Sequence, residues 1–323
     1  MSGKTARDGG PRATSWAEVV RLRTLPAAVA PVILGSGAAA ATGDLSWVRS
    51  LLAAGVALAL QVGCNLANDY SDGVRGTDDE RTGPPRLTAS GQVAPRTVKL
   101  AAFGCFGLGA LLGLGLLALS GQWWLLVVGA AAIAAAWFYT GGSRPYGYAG
   151  LGELFVFIFF GLVATAGTTY VQADTVPGWL WPSACGIGLL ACSLLMVNNL
   201  RDIDTDPDHG KMTLAVRLGE RGARRAFSAM LYLPLLLGAV ALVWARETGS
   251  ASPADGGGHV SPLLTLVIAL TVPFLLLPLV RRATAPVRAG ARGRDLIGSL
   301  REAGLLELAY GIVFAAATVI ITL

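Results

Sequence analysis

The sequence predicts an all-α, polytopic membrane protein with nine transmembrane helices. The 323 residues are 54% hydrophobic and only 14% charged, against about 25% charged in an ordinary soluble domain, and the mean hydropathy is +0.59. Apolar stretches of roughly 17 to 25 residues, long enough to cross a hydrocarbon core, recur at 25–42, 47–67, 98–119, 122–140, 151–171, 180–200, 226–245, 261–280 and 304–323. Hydrocarbon offers backbone amides no partner, so each stretch reads as a helix, and none alternates as a barrel strand would.

Charge fixes the expected orientation. With the N-terminus in the cytoplasm, all of the 25 Lys and Arg except Arg49 and Arg246 fall in cytoplasmic segments, as the positive-inside tendency requires. An odd number of helices then leaves Leu323 on the far side. The first 24 residues are polar and basic and lack the apolar core of a secretory signal. They read as a cytoplasmic N-terminal segment, with 25–323 as a single transmembrane domain. The pI of about 9.2 does not call for nucleic acid, because the basic residues lie between apolar spans. Cys64, Cys105, Cys185 and Cys192 fall inside those spans with no metal-ligand spacing, and His209 and His259 are far apart. Trp123, Trp124, Trp179 and Trp181 lie at expected outer ends and read as an aromatic belt. The Ala, Gly and Arg bias points to a bacterial plasma membrane.

Carboxylates concentrate in two cytoplasmic loops. At the inner end of the second apolar stretch the chain carries Asn65, Asn68, Asp69, Asp72, Arg75, Asp78 and Asp79, and helical spacing places Asn65, Asp69 and Asp72 on one face. At the inner end of the sixth it carries Asn198, Asn199, Arg201, Asp202, Asp204, Asp206, Asp208 and Lys211. Asn198, Asp202 and Asp206 repeat at intervals of four. In each cluster an Asn precedes the first Asp by four residues, which points to a weak internal repeat with the two clusters facing one another across a bundle.

Carboxylates gathered at a membrane boundary need compensation, since an Asp at full depth costs about 2.5 to 3.5 kcal/mol even on the lenient insertion scale. Asp and Asn oxygens are hard ligands that suit Mg²⁺, or Mn²⁺, better than zinc. Because Mg²⁺ takes few carboxylates and shares its other positions with water and phosphate oxygens, two clusters imply a bridged diphosphate. A diphosphate at the interface with an apolar space behind it describes a polyprenyl diphosphate donor. Cations stabilise charge on the departing diphosphate while an electron-rich aromatic carbon attacks the prenyl group. No protein nucleophile is needed, and no Ser/His/Asp or Cys/His arrangement is present.

At these residues the chain resembles the intramembrane aromatic prenyltransferase superfamily typified by 4-hydroxybenzoate polyprenyltransferase, which has nine helices and two Asp-rich motifs. Asn68, Asp69 and Asp72 match the family's NDxxDxxxD; Gly76 stands at the third Asp position and Asp78 follows two residues later. Asp202 and Asp206 match its DxxxD. The strings at 21–26, 86–91, 139–148 and 198–219 are similar to the branch that prenylates 1,4-dihydroxy-2-naphthoate. The resemblance implies prenyl transfer with loss of diphosphate and CO2 to give demethylmenaquinone, a step of menaquinone biosynthesis. It implies metal ligation by Asn68, Asp69, Asp72, Asp78, Asp202 and Asp206. Other acceptors of the superfamily, 4-hydroxybenzoate and homogentisate, stay open, as does a transporter with an acidic cation site.

Further residues are candidates by position. Lys211 and Arg75 follow the two Asp clusters and can neutralise diphosphate oxygens. Tyr139 closes the fourth stretch as an acceptor-site residue or an interfacial anchor, and Arg144 in the turn after it suits a phosphate or acceptor carboxylate. Catalytic roles are expected for Asp72, Asp202, Lys211 and Tyr139. Substrate binding is expected for Asn65, Asn68, Arg75, Arg144, Asn198 and Arg201. Glu153 has an open role.

Overall fold

The computed structural model describes Arg21 and residues 24–76, 87–249 and 260–322, and within them the chain is helical with no strand. The helices are α1 (Leu25–Ala41), α2 (Trp47–Val74), α3 (Pro95–Ser120), α4 (Leu125–Phe138), α5 (Gly152–Ala173), α6 (Leu180–Arg201), α7 (Leu214–Gly249), α8 (Pro262–Arg288) and α9 (Ile297–Thr322). Each falls on one predicted apolar stretch. Seven, α2, α3 and α5 to α9, are long and apolar enough to cross a membrane, whereas α1 has 17 residues and α4 has 14. At 1.5 Å per residue α4 covers about 21 Å, short of a hydrocarbon core of about 30 Å. Most of the 1–24 segment, and Asp78, Asp79 and Arg86 of the first acidic loop, lie outside the described residues.

Four helices run further than the apolar count indicates. α2 continues to Val74, α7 begins at Leu214, α8 continues to Arg288 and α9 begins at Ile297. By the alternation of the chain all four extensions lie at the end that bears the acidic motifs. Hydropathy measures only the part of a helix that needs hydrocarbon, while backbone hydrogen bonding carries the helix on into a polar setting. One extension is jointed: Gly219 in α7 has φ +67°, a left-handed conformation that favours glycine.

α2 packs on α3, α6 on α7, and α8 between α7 and α9, while α9 returns to α1 and α1 also lies on α5. The two halves differ in density. α6 to α9 share a continuous core that includes Ile187, Leu190, Phe227, Leu231, Tyr310 and Phe314. α1 to α6 instead enclose a cavity of about 540 Å³. Trp123, Trp124 and Trp181 are exposed, as expected of a belt, but Trp179 is buried against the core and does not belong to it.

Small residues set the tightest approaches, since packing rather than water drives helix association in lipid. A Cβ on Gly161 would stand 2.5 Å from Gly188 Cα, and one on Gly311 would stand 2.6 Å from the Ala30 carbonyl oxygen. The first contact lies in a π-helical stretch of α5, Phe157–Val163, whose wider turn presents Phe159, Phe160 and Val163 to the cavity. Replacing Gly161 by leucine is expected to force α5 off α6 and to cost about 1 to 3 kcal/mol, as overpacking typically does. A lowered thermal unfolding midpoint in detergent would register it, and an unchanged midpoint would refute this contact.

Candidate active site

The polar end of α2 separates its two aspartates by function. Asp69 is fully buried, and its two oxygens accept hydrogen bonds from the Leu87 and Thr88 backbone N–H groups, each at 3.0 Å. It pins the far end of the first acidic loop to the helix. Its carboxylate therefore turns to the loop and away from the site, contrary to the expected Asn65, Asp69 and Asp72 face. Asn68 and Asp72, four residues apart, are the pair that lines the polar cavity described below. Asn65 is buried one turn deeper, where its Nδ2 donates to Thr24 Oγ1 at 3.4 Å.

α6 ends at Arg201, but the expected interval of four survives, because the Asp206 N–H donates to the Asp202 carbonyl at 2.9 Å. Arg201 is held to Asp202 by two hydrogen bonds, from Nε at 2.8 Å and Nη2 at 2.6 Å. Its Nη1 donates to Asn198 Oδ1 at 3.0 Å. A buried guanidinium fork thus orients the first carboxylate of this motif. Gly210, with φ +72°, then reverses the chain, and Lys211 reaches across to Asp72 Oδ2 at 3.1 Å. This ion pair joins the two motifs.

The loop between α4 and α5 is the third wall. Tyr148 donates through its hydroxyl to Asp72 Oδ1 at 2.8 Å, and its ring lies between the Arg75 guanidinium at 5.4 Å and Lys211 Nζ at 4.9 Å. Arg75 donates to the Thr140 and Gly142 carbonyls. It is a brace for this loop, and it does not line the polar cavity. Thr140 donates to Asn68 Oδ1 at 2.8 Å. Tyr146 donates through its hydroxyl to the Ala135 carbonyl at 2.8 Å, and burial pushes its phenol up. Arg144 is exposed and lines neither cavity. Glu153 is buried and receives Asn199 Nδ2 at 3.1 Å.

Two cavities meet here. A polar one of about 80 Å³ is lined by Asn68, Asp72, Asp202, Asp206, Lys211 and Tyr148, with Tyr139, Thr140, Asn199 and Arg21 beside them. The apolar cavity of about 540 Å³ carries Asn65, Asn68, Tyr139 and Asn198 at its near end, and Arg21, Asn68 and Tyr139 belong to both. A charged head and an apolar tail of one molecule can therefore be held at once. Spacing within the motifs did not single out Tyr148, Thr140 or Arg21. The first sits in the 139–148 string and the last in the 21–26 string.

Among the described residues no three His, Cys, Asp or Glu side chains form a ready-made ion cage. The oxygens of Asn68, Asp72, Asp202 and Asp206 nonetheless face one polar cavity. That suits Mg²⁺, which fills most of its octahedron with water and phosphate oxygens. The donor set fits such an ion.

The UbiA prenyltransferase family model matches residues 28–288. The 1,4-dihydroxy-2-naphthoate octaprenyltransferase of Mycobacterium tuberculosis is 48% identical over 307 residues, 94% of this chain and 96% of that protein. Among solved structures, an apo UbiA homologue from Aeropyrum pernix K1 superposes with a TM-score of 0.62 at 19% identity, covering 96% of this chain and all of that one. A UbiA homologue from Archaeoglobus fulgidus bound to DMAPP and Mg²⁺ gives 0.59 at 14% identity, covering 94% and 99%. At these identities the two structures speak for the fold.

The different surroundings of Asp69 and Asp72 separate them experimentally. Asp69→Ala leaves two buried amides without partners, at about 1 to 3 kcal/mol for each such group, and should lower the unfolding midpoint. Asp72→Ala combined with Lys211→Met removes both members of the ion pair and leaves no uncompensated charge, and should change that midpoint far less. Equal effects on stability would contradict the assignment.

Proposed function

Since this chain belongs to the UbiA prenyltransferase family, we propose that it transfers a polyprenyl group from a polyprenyl diphosphate to 1,4-dihydroxy-2-naphthoate, releasing diphosphate and CO2 and forming demethylmenaquinol, which air oxidises to demethylmenaquinone. The observation that carries this reading is the junction of the polar and apolar cavities at Asn68 and Tyr139. The 48% identity to a protein named for that acceptor supports the choice of acceptor.

In this mechanism the diphosphate occupies the polar cavity and the prenyl tail the apolar one. Asn68, Asp72, Asp202 and Asp206 would hold Mg²⁺, which when bound offsets the charge on the diphosphate. Lys211 adds a mobile cation beside Asp72, and Arg201 and Tyr148 fix the carboxylates of Asp202 and Asp72. The allylic C–O bond breaks with its electron pair leaving on the diphosphate, the carboxyl-bearing carbon of the electron-rich ring forms the new bond, and the C–C bond to the carboxylate then breaks, its electron pair returning to the ring as CO2 leaves. Tyr139, at the junction, stands where allylic positive charge develops and where an aromatic face is favourable. Walls of apolar side chains keep water from capturing that cation. Asp69 and Arg75 support the site from behind it. Arg144, on the exposed loop, has no part in it.

Residues 25–323 act as one catalytic unit in a bacterial plasma membrane, with the motif end and N-terminus in the cytoplasm. The basic extensions at that end support this orientation. In oriented vesicles a membrane-impermeant maleimide should label Ser90→Cys from the cytoplasmic side and Ser261→Cys from the opposite side. The reverse pattern would invert the topology.

Purified protein with Mg²⁺, a polyprenyl diphosphate and the naphthoate should yield demethylmenaquinone by mass spectrometry. EDTA should abolish the product and added Mg²⁺ restore it. Asp72→Ala and Asp202→Ala should each lower turnover by roughly 10² to 10³-fold, as loss of a transition-state electrostatic contact does. Prenylation of 4-hydroxybenzoate or homogentisate with the naphthoate ignored would overturn the acceptor while keeping the reaction class.

A further inference from the structure

Two groups stand out among the glycines of the bundle. In the first, an added Cβ would strike a neighbouring helix, as at Gly161 and Gly311. In the second are Gly113 of α3, Gly129 of α4 and Gly167 of α5. All three line the apolar cavity. A Cβ at Gly129 or Gly167 would meet nothing within 4 Å, and one at Gly113 would meet only Val56 Cγ2 at 3.9 Å. Helix packing does not require glycine at these places, and glycine weakens a helix relative to larger residues. At Gly113 and Gly167, both half-buried, the missing side chains leave room inside the cavity, whereas Gly129 on the same wall is exposed.

These positions are also far from the reacting end. Gly113 faces Val56, which precedes Asn68 by twelve residues along α2 and so lies about 18 Å deeper at 1.5 Å per residue. Gly129 precedes Tyr139 by ten residues, about 15 Å by the same rise. An extended isoprene unit adds about 5 Å, from four carbon bonds of about 1.5 Å set in zigzag. A two-unit tail ends above this level, and a four-unit tail must pass it.

We propose that Gly113 and Gly167 determine donor length, by keeping the deep part of the cavity wide enough for prenyl tails longer than about three units. The proposal rests on the prenyltransferase reading and specifies its donor. Bulk at these positions blocks the distal units of the tail and leaves the diphosphate, the allylic carbon and the first units in place. Selection is thus steric and acts by position along the tail, with no change in the polar cavity.

The test compares geranyl with geranylgeranyl diphosphate, with Mg²⁺, on Gly113→Leu, Gly167→Leu and wild-type protein. Gly107→Leu is the control: Gly107 shares α3 and has nothing within 4 Å of its Cβ, but is exposed and lines neither cavity. Both the transfer rate and the binding of each diphosphate, measured without acceptor, are read. The cavity variants should lose about tenfold or more toward the four-unit donor, a steric conflict of the size overpacking produces, and should keep the two-unit donor near the wild-type level. The control should match wild type with both. Undiminished four-unit binding and transfer in the cavity variants would overturn the proposal, and so would an equal loss with both donors. If wild type transfers neither donor to any phenolic acid, the proposed reaction fails, while the binding series still decides the role of the glycines.

Discussion

The ion pair between Asp72 on α2 and Lys211 after α6 is the contact around which the rest of the site is arranged. Two acidic helix ends from distant parts of the chain repel one another when brought together at the edge of a low-dielectric bundle, and that repulsion has to be offset for the bundle to close there. Lys211 offsets it across the gap, and Arg201 offsets it within the second motif. Because truncating one partner of a buried pair leaves an uncompensated charge, the motifs and their cations are mutually dependent. A polyanionic head and a hard cation can enter by exchanging partners with groups already balanced.

The hollow half of the molecule follows from the same economy of contacts. α6 to α9 bury large side chains in an unbroken core and hold the second motif firmly. α1 to α5 meet across alanines, glycines and a π-helical turn, and with the inner end of α6 they enclose the long cavity. Arg21, Asn68 and Tyr139 line both cavities, so polar and apolar surroundings meet at these side chains.

Side chains that act on other protein groups carry much of the accuracy of this arrangement. Asp69 ties residues 87 and 88 to α2, Arg75 braces the 139–151 loop through two carbonyls, and Tyr148 fixes one Asp72 oxygen. Glu153, through Asn199, connects the start of α5 to the same wall. Each acts on backbone or on a neighbouring amide or carboxylate, the kind of support that holds reacting groups within a narrow range of positions.

The sequence by itself determined the order of the apolar helices among the described residues, the membrane setting and the two motifs. Apolar length and charge placement are local properties, and hydrocarbon permits one backbone answer to them. The i, i+4 recurrence of Asn198, Asp202 and Asp206 was legible for the same reason. Only the tertiary structure decided that Asp72 lines the polar cavity while Asp69 serves a loop, that Arg75 donates to two loop carbonyls, that Trp179 is core, and that Tyr148, Thr140 and Arg21 join the wall. Neighbours in sequence at a helix end differ by about 100° in direction, and which direction holds the cavity is set by helices and loops many residues away.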